Sequence, residues 1–186
     1  EGDALENPTN TASFLCRNNF FGSCRARGIL VSTPKPVLVE DNLFQTAGSA
    51  ILIAGDANYW YESGACHDVT IRRNSFAAEC LATPYAGCNA VVSICPEIPE
   101  PDADHPFHQN ILLENNTFFS PGIPVVYAFC TENLKLRHNR IIRCKGYVCA
   151  EDRALMELDT CKRITLEDNQ TIGEFPNKFL AFTHIQ

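Results

Sequence analysis

One alternation of apolar and polar positions, apolar-x-apolar-x-x-Asn-x-apolar, recurs six times along the chain. The copies span 14–21, 37–44, 69–76, 111–118, 134–141 and, slightly degraded, 164–171. Period two before each asparagine describes a half-buried strand. The asparagine marks a turn, where it tolerates left-handed backbone and bonds locally through its side chain. A second apolar strand follows at 28–31, 50–53, 90–94, 125–127 and 154–156, and 179–182 closes the series. Short strands repeated in units of about 23 residues, with no helical period between them, predict coils of a solenoid. The expected fold is all-β, a single right-handed parallel β-helix domain of about six coils over 1–186. Equivalent asparagines then stack into a ladder. A leucine-rich repeat needs a denser leucine pattern, and propeller blades need ~40 residues and four strands each.

Asn19, Asn42, Asn74, Asn116, Asn139 and Asn169 lie 23, 32, 42, 23 and 30 residues apart. The longer intervals locate insertions near 55–67, near 81–88 together with 96–108, and near 145–153. Residues that interrupt a regular scaffold are where function is expected.

The first insertion carries Asp56, Asn58, Tyr59, Trp60, Tyr61 and Glu62, including the single tryptophan of the chain. Aromatic faces stack on the C–H face of a sugar, while carboxylates and amides fix its hydroxyls, a mix of apolar walls and convergent polar groups typical of ligand sites. The alternative is an Ω-loop whose aromatics cover the end of a coil. Arg25 and Arg27 enter the second strand of the first coil beside this insertion. An arginine there either clamps a hydroxyl and orients Asp56 or Glu62, or makes salt bridges on a solvated face. The proline-rich run 95–106 with four acids reads as a solvated, stiffened loop, in which Glu97 lies nearest the coil and is kept as a candidate.

Net charge is −7, with basic residues scattered rather than in a stripe, which argues against nucleic acid as a partner. No apolar run reaches the ~18–20 residues of a membrane span. The five histidines show no metal-binding spacing, and no CxxC pair occurs, so no metal site or other cofactor is expected. The chain opens on Glu1, and the expectation is that an export signal or a longer upstream segment has been removed, with a secreted, periplasmic or cell-surface location. Most of the ten cysteines are expected to be small buried apolar fillers. Cys24, Cys80 and Cys144 share one slot in alternate coils, too far apart to pair. Cys88 with Cys95, Cys66 with Cys80, and Cys144 with Cys149 or Cys161 remain possible bridges.

Two longer blocks carry a resemblance. Arg25-Ala26-Arg27-Gly28-Ile29-Leu30-Val31-Ser32-Thr33-Pro34, followed by Val39-Glu40-Asp41-Asn42-x-Phe44, resembles the α-1,3-galactosidases of glycoside hydrolase family 110. So does 50–64 leading into Asp68-Val69-x-Ile71-Arg72-x-Asn74. The match is close over roughly 5–76 and elsewhere rests on the repeat alone. It implies an exo-acting, inverting, metal-independent enzyme that removes terminal α-1,3-linked galactose from glycans such as those of blood-group-B type. Inversion needs a carboxylic acid and a carboxylate ~6.5–9.5 Å apart. Asp56 and Glu62 match family-like positions and are the catalytic candidates, or else line the galactose subsite. Arg27, Asn58, Tyr59, Trp60 and, from its place next to the coil, Glu97 are the substrate-binding candidates. The family's paired aspartates occur nowhere in this chain, so it represents the C-terminal portion of such an enzyme or has lost that machinery. Two alternatives stand beside the glycosidase. One is a carbohydrate-binding or structural β-helix without catalysis. The other is a polyuronate lyase of the pectate-lyase-like solenoids, which would want a calcium-binding acidic cluster and a basic catalytic residue.

Overall fold

The computed structural model describes residues 5–56, 59–83, 89–146 and 150–184. Coil one holds β1 (Phe14–Arg17), β2 (Phe20–Cys24) and β3 (Ile29–Val31); coil two holds β4 (Val37–Glu40), β5 (Leu43–Thr46) and β6 (Ile51–Ile53). Coil three follows with β7 (His67–Arg72), β8 (Ser75–Phe76) and β9 (Val92–Ile94), and coil four with β10 (His108–Glu114), β11 (Thr117–Ser120) and β12 (Val126–Phe129). Coils five and six hold β13 (Thr131–Arg137), β14 (Arg140–Arg143), β15 (Met156–Asp159), β16 (Thr165–Glu167), β17 (Gln170–Ile172) and β18 (Leu180–Thr183). Each coil gives one strand to each of three six-stranded parallel sheets. Sheet A starts from β1, sheet B from β2 and sheet C from β3, and the result is the right-handed parallel β-helix expected from the repeat. Among the described residues no helix is long and apolar enough to cross a membrane.

Each copy of the motif is two strands that meet at a sharp turn. The left-handed residue is not the ladder asparagine, as the sequence suggested, but the residue before it. Asn18, Asp41, Arg73, Asn115, His138 and Asp168 all have φ between 49° and 57°. Asn, Asp and His enter that region more readily than other residues, whereas arginine has no local preference for it, so at Arg73 local preference does not account for the turn. There the turn is imposed by the pairing of the strands on either side.

The asparagine itself is selected by its side chain. Asn116 donates its backbone N–H and its Nδ2 to Asn139 Oδ1, at 3.1 and 3.0 Å, and also gives Nδ2 to the Ile71 carbonyl at 2.9 Å. Its own Oδ1 accepts the backbone and side-chain N–H of Asn74 at 3.0 and 3.1 Å. Both amide hydrogens and both lone pairs are satisfied in a fully buried position, which removes the penalty of burying an amide. The same bonds run from Asn19 to Asn42, Asn74, Asn116, Asn139 and Asn169.

Two more columns follow the same register. Inside sheet B, Phe21, Phe44, Phe76 and Phe118 stack nearly parallel, with ring centroids 4.8, 5.2 and 4.6 Å apart. Such ring pairs contribute ~0.5–1.5 kcal/mol beyond burial. Outside sheet A, Arg17, Glu40, Arg72, Glu114, Arg137 and Glu167 are register partners, so charge alternates along the whole stack. Arg72 Nε donates to Glu40 at 2.8 Å, and this contact holds the Glu40 carboxyl below the usual range.

The cysteines serve mainly as filler. Cys16, Cys66, Cys80, Cys130 and Cys161 are buried, and no disulfide forms among the described residues. The Cys66–Cys80 and Cys144–Cys161 bridges left open by the sequence do not exist. Cys66 Sγ donates to the Val31 and Ala54 carbonyls and Cys80 Sγ to the Phe44 carbonyl, at different corners of the coil. Cys161 Sγ likewise donates to the Ala128 carbonyl, while Cys144 follows sheet B. Cys88 and Cys149 lie outside the described residues.

All four insertions flank one sheet. Residues 54–66 and 95–107 lead from sheet C into sheet A, and 77–91 and 144–155 lead from sheet B into sheet C. The outer face of sheet C is thereby walled along both sides.

Two predictions follow from these buried polar groups. Asn116→Ala removes the middle rung and leaves partners on both sides unsatisfied, so it should destabilise by on the order of 2–4 kcal/mol, read as a shift of the denaturant midpoint. His108 is fully buried, accepts the Cys66 N–H on Nδ1 at 3.1 Å, and is pushed down to about 3 by burial, helped by nearby His67. The unfolded imidazole binds its proton near ~6.5. Between those values the unfolded chain binds more protons, so stability is undiminished above ~6.5 and falls by ~1.4 kcal/mol per pH unit below it. Denaturant titrations from about pH 5 to 6.5, above the carboxylate range, should show that slope, and His108→Leu should flatten it.

Candidate functional site

The outer positions of sheet C form two columns. One runs Leu30, Leu52, Ser93, Tyr127 and Glu157, and the next carries Ala54, Cys95, Phe129 and Asp159. Leu30 and Leu52 at the start of the first column, with Ala54 from the second, make an apolar floor. Immediately past the strands, Asp56 and Glu97 form a parallel bridge, with Glu97 N–H donating to the Gly55 carbonyl at 2.9 Å. The rungs of coils two and three thus continue into their insertions for three further residues, which puts both acids at one edge of the floor.

Asp56 is 1% exposed and accepts the backbone N–H of Tyr59 at 2.6 Å and of Trp60 at 2.5 Å. This carboxylate folds the insertion over itself and fixes where Trp60 stands. Two further contacts complete the loop. A Cβ at Gly55 would lie 2.6 Å from the Phe107 ring and 2.8 Å from the Gly64 carbonyl, so the chain packs there only as glycine. Glu6 accepts Ser63 Oγ at 2.5 Å and Gly64 N–H at 2.9 Å, and the Ser63 hydroxyl is the main cause of its lowered carboxyl pKa.

The loop so held does not bury its aromatics against a coil end. Tyr59, Trp60 and Tyr61 are 71%, 74% and 70% exposed, and Tyr59 meets Trp60 edge to face at 5.5 Å. Trp60 instead closes a cavity of about 110 Å³ whose other lining residues are Arg27, Leu30, Leu52, Ala54, Asp56, Glu62, Cys95 and Glu97. Among the described residues, the Arg27 guanidinium and the Glu62 and Glu97 carboxylates take no protein partner. Three carboxylates and one guanidinium converge on an apolar floor beside an indole. Burial, with the Glu97 charge added, pushes the Cys95 thiol up to about 11, so this sulfur is a neutral part of the lining.

The structure therefore brings together Arg27, Asp56, Trp60, Glu62 and Glu97, although they come from three separate segments. Tyr59 supports Trp60 and stands outside the cavity lining, and Asn58 lies outside the described residues. Arg25 diverges from Arg27 and lines a different cavity with Cys24 and Glu79. The acidic run contributes Glu97 alone. Its Asp102 is occupied locally by the Asp104 N–H at 2.7 Å and His105 Nδ1 at 2.8 Å. Sequence reasoning missed Glu6 and the apolar floor; the floor was in principle readable as the outward positions of the aligned strands. For a cation, His138, Glu167 and Asp168 have ligand atoms within 4.8 Å of one another, but all three are exposed, at the end of sheet A and the turns into sheet B.

Fold and cavity define a right-handed parallel β-helix with a small, acid-rich pocket on one outer sheet face. No protein-family model matches the chain. It is similar to alpha-1,3-galactosidase B of Bacteroides thetaiotaomicron, 45% identical over 174 residues, which is 93% of this chain and 28% of that protein. Alpha-1,3-galactosidase B of Akkermansia muciniphila is 43% identical over 92% of this chain and 22% of its own length. Alpha-1,3-galactosidase A of Bacteroides fragilis is 39% identical over 95% and 29%. The chain spans less than a third of the length of these relatives. The likeness extends well past the 5–76 block in which the sequence reading placed it.

Gly55→Ala should displace the insertion while leaving the coils intact, at a cost of ~1–3 kcal/mol. The single tryptophan reports it: acrylamide quenching of Trp60 should change at an unaltered far-ultraviolet circular dichroism spectrum.

Proposed function

We propose that this chain is part of a glycoside hydrolase of family 110, in which the Arg27–Asp56–Trp60–Glu62–Glu97 pocket receives a terminal α-1,3-linked galactose. The observation that carries the reading is the convergence of unpartnered charged groups on an apolar floor beside an exposed indole. A pyranose offers an apolar C–H face to Trp60 and the floor, and hydroxyls that both donate and accept. Arg27 donates to those oxygens, while Glu62 and Glu97 accept from the hydroxyls. The similarity to proteins named alpha-1,3-galactosidase supports galactose in particular.

In the proposed reaction, inverting and metal-independent, a carboxylic acid protonates the departing glycosidic oxygen. A carboxylate opposite takes a proton from the water that bonds to the anomeric carbon. Asp56 and Glu62 are proposed as this pair. Asp56 is the rigid member, tied to the loop backbone, and Glu62 the one free to reorient. The single domain is read as the later coils of a longer β-helix. The chain spans 22–29% of the length of the relatives it matches, which supports that reading. That the Asp56 oxygens hold the loop backbone also favours a second reading, carbohydrate binding without turnover.

The full-length protein should release galactose from Gal-α-1,3-Gal. Glu62→Gln should lower kcat by roughly a hundredfold or more, and Trp60→Ala should raise KM by roughly tenfold with less effect on kcat. Saturable binding without any release would establish the second reading, and absence of both would remove the galactoside assignment.

A further inference from the structure

The pocket is the first station on a longer surface. Sheet C continues for four more coils beyond Leu52, and its outer positions stay in one register. One rung past Ser93 and Cys95 stands Tyr127, and one rung further stand Glu157 and Asp159, each step being ~4.8 Å. Tyr127 is partly exposed, and among the described residues its hydroxyl makes no hydrogen bond with the protein. Burial is the main cause that pushes it up to about 12, with Cys95, Asp159 and Glu157 beside it, so it is a neutral hydroxyl that donates.

The neighbours of Tyr127 are held rigid. Arg153, from the insertion on one flank, donates to both Glu157 oxygens at 3.2 and 2.5 Å. Asp159 is bonded to His184 Nδ1 at 3.0 Å and to Thr160 Oγ1 at 3.1 Å. On the opposite flank the 95–107 insertion is tied down where the Cys130 thiol meets the Asp102 carbonyl and Lys162 Nζ donates to the Asp104 carbonyl. Asn89 lies across the third rung, donating its N–H to Ser93 Oγ at 3.0 Å and Nδ2 to Cys95 Sγ at 3.5 Å. The floor between the pocket and Tyr127 therefore carries an amide, and both walls are fixed.

We propose that the outer face of sheet C is one groove along the helix axis, in which Tyr127, flanked by Asn89 and Glu157, forms a second carbohydrate subsite. It takes the sugar residues on the reducing side of the terminal galactose. The proposal rests on the galactoside reading of the pocket. The ligand is a neutral, hydroxyl-rich oligosaccharide: its C–H faces lie on the Tyr127 ring and its hydroxyls meet the phenol, the Asn89 amide and the Glu157 carboxylate. Chain length and linkage beyond the terminal disaccharide would then be read at coils three to five rather than at the pocket.

The test compares two probes on the full-length protein by calorimetry: methyl α-galactoside, which fills only the pocket, and a linear tetrasaccharide ending in Gal-α-1,3-Gal. The native protein should bind the tetrasaccharide more tightly. Tyr127→Ala should remove roughly tenfold of that gain while leaving methyl α-galactoside unchanged. Tyr127→Phe should keep the stacking part of the gain, and Tyr127 ring resonances should move with the tetrasaccharide alone. Equal affinity of the two probes, or equal weakening of both by Tyr127→Ala, would overturn the subsite and leave the pocket reading intact. Failure of both probes to bind the native protein would overturn both readings.

Discussion

The structure depends on the amide ladder because it is the one interaction that is both buried and directional. Each interior ladder asparagine gives two N–H groups to the Oδ1 of the next coil and receives two from the coil before. A buried amide with a missing partner is costly, so coils are held to the one register that closes every bond. Apolar packing alone would not achieve this, since a solenoid core of Val, Ile, Leu and Phe tolerates slippage. The phenylalanine stack and the alternating Arg–Glu column agree with that register, and agreement among levels is what singles out one structure. The left-handed Arg73 shows the strength of the constraint, for it holds a residue that would not choose this backbone.

Register is also what makes a site from residues far apart in sequence. Arg27 precedes one strand of sheet C, Asp56 follows the next, and Glu97 follows the third. They meet because each coil returns to the same azimuth one rung along. The insertions add walls without disturbing the stack, since every one of them enters at a strand end of sheet C. Asp56 belongs to both levels: its backbone extends the ladder of sheet C to Glu97, and its carboxylate folds the loop that carries Trp60.

This division explains what was legible in the sequence. Asparagine spacing and period-two alternation are local patterns, so the coils and the places where insertions leave them could be read directly. The aromatic insertion could be singled out by composition, and Arg27 and Glu97 by their nearness to the coils. The position of the left-handed turn was legible in principle at the Asn, Asp or His that precedes five of the six ladder asparagines, but not at Arg73, where it follows from pairing on both sides. Disulfide partners were illegible for a related reason: Cys66 and Cys80 occupy different corners of the coil, which spacing alone does not reveal. Glu6 was invisible because its role comes from the return of the loop toward the N-terminal segment. Tyr127 is an ordinary strand tyrosine until the rungs are counted.

Charge decides among the ligands such a groove can accept. Asp56, Glu62 and Glu97 share a cavity of about 110 Å³ with one guanidinium, and Glu157 and Asp159 lie further along the same face. Like charges at these separations, in a partly desolvated setting, repel one another and any anion brought between them. A polyuronate would bring a carboxylate on every ring and meet that field at successive rungs. Its lyase chemistry would also need cations that Arg27 alone does not supply. A neutral sugar behaves oppositely, since its hydroxyls donate to the Glu62 and Glu97 carboxylates, which take no protein partner among the described residues, and each such bond to a charged acceptor is among the stronger kind. The acid surplus of the pocket is therefore the feature that favours a hydroxyl-rich, uncharged occupant of the proposed groove over the anionic one.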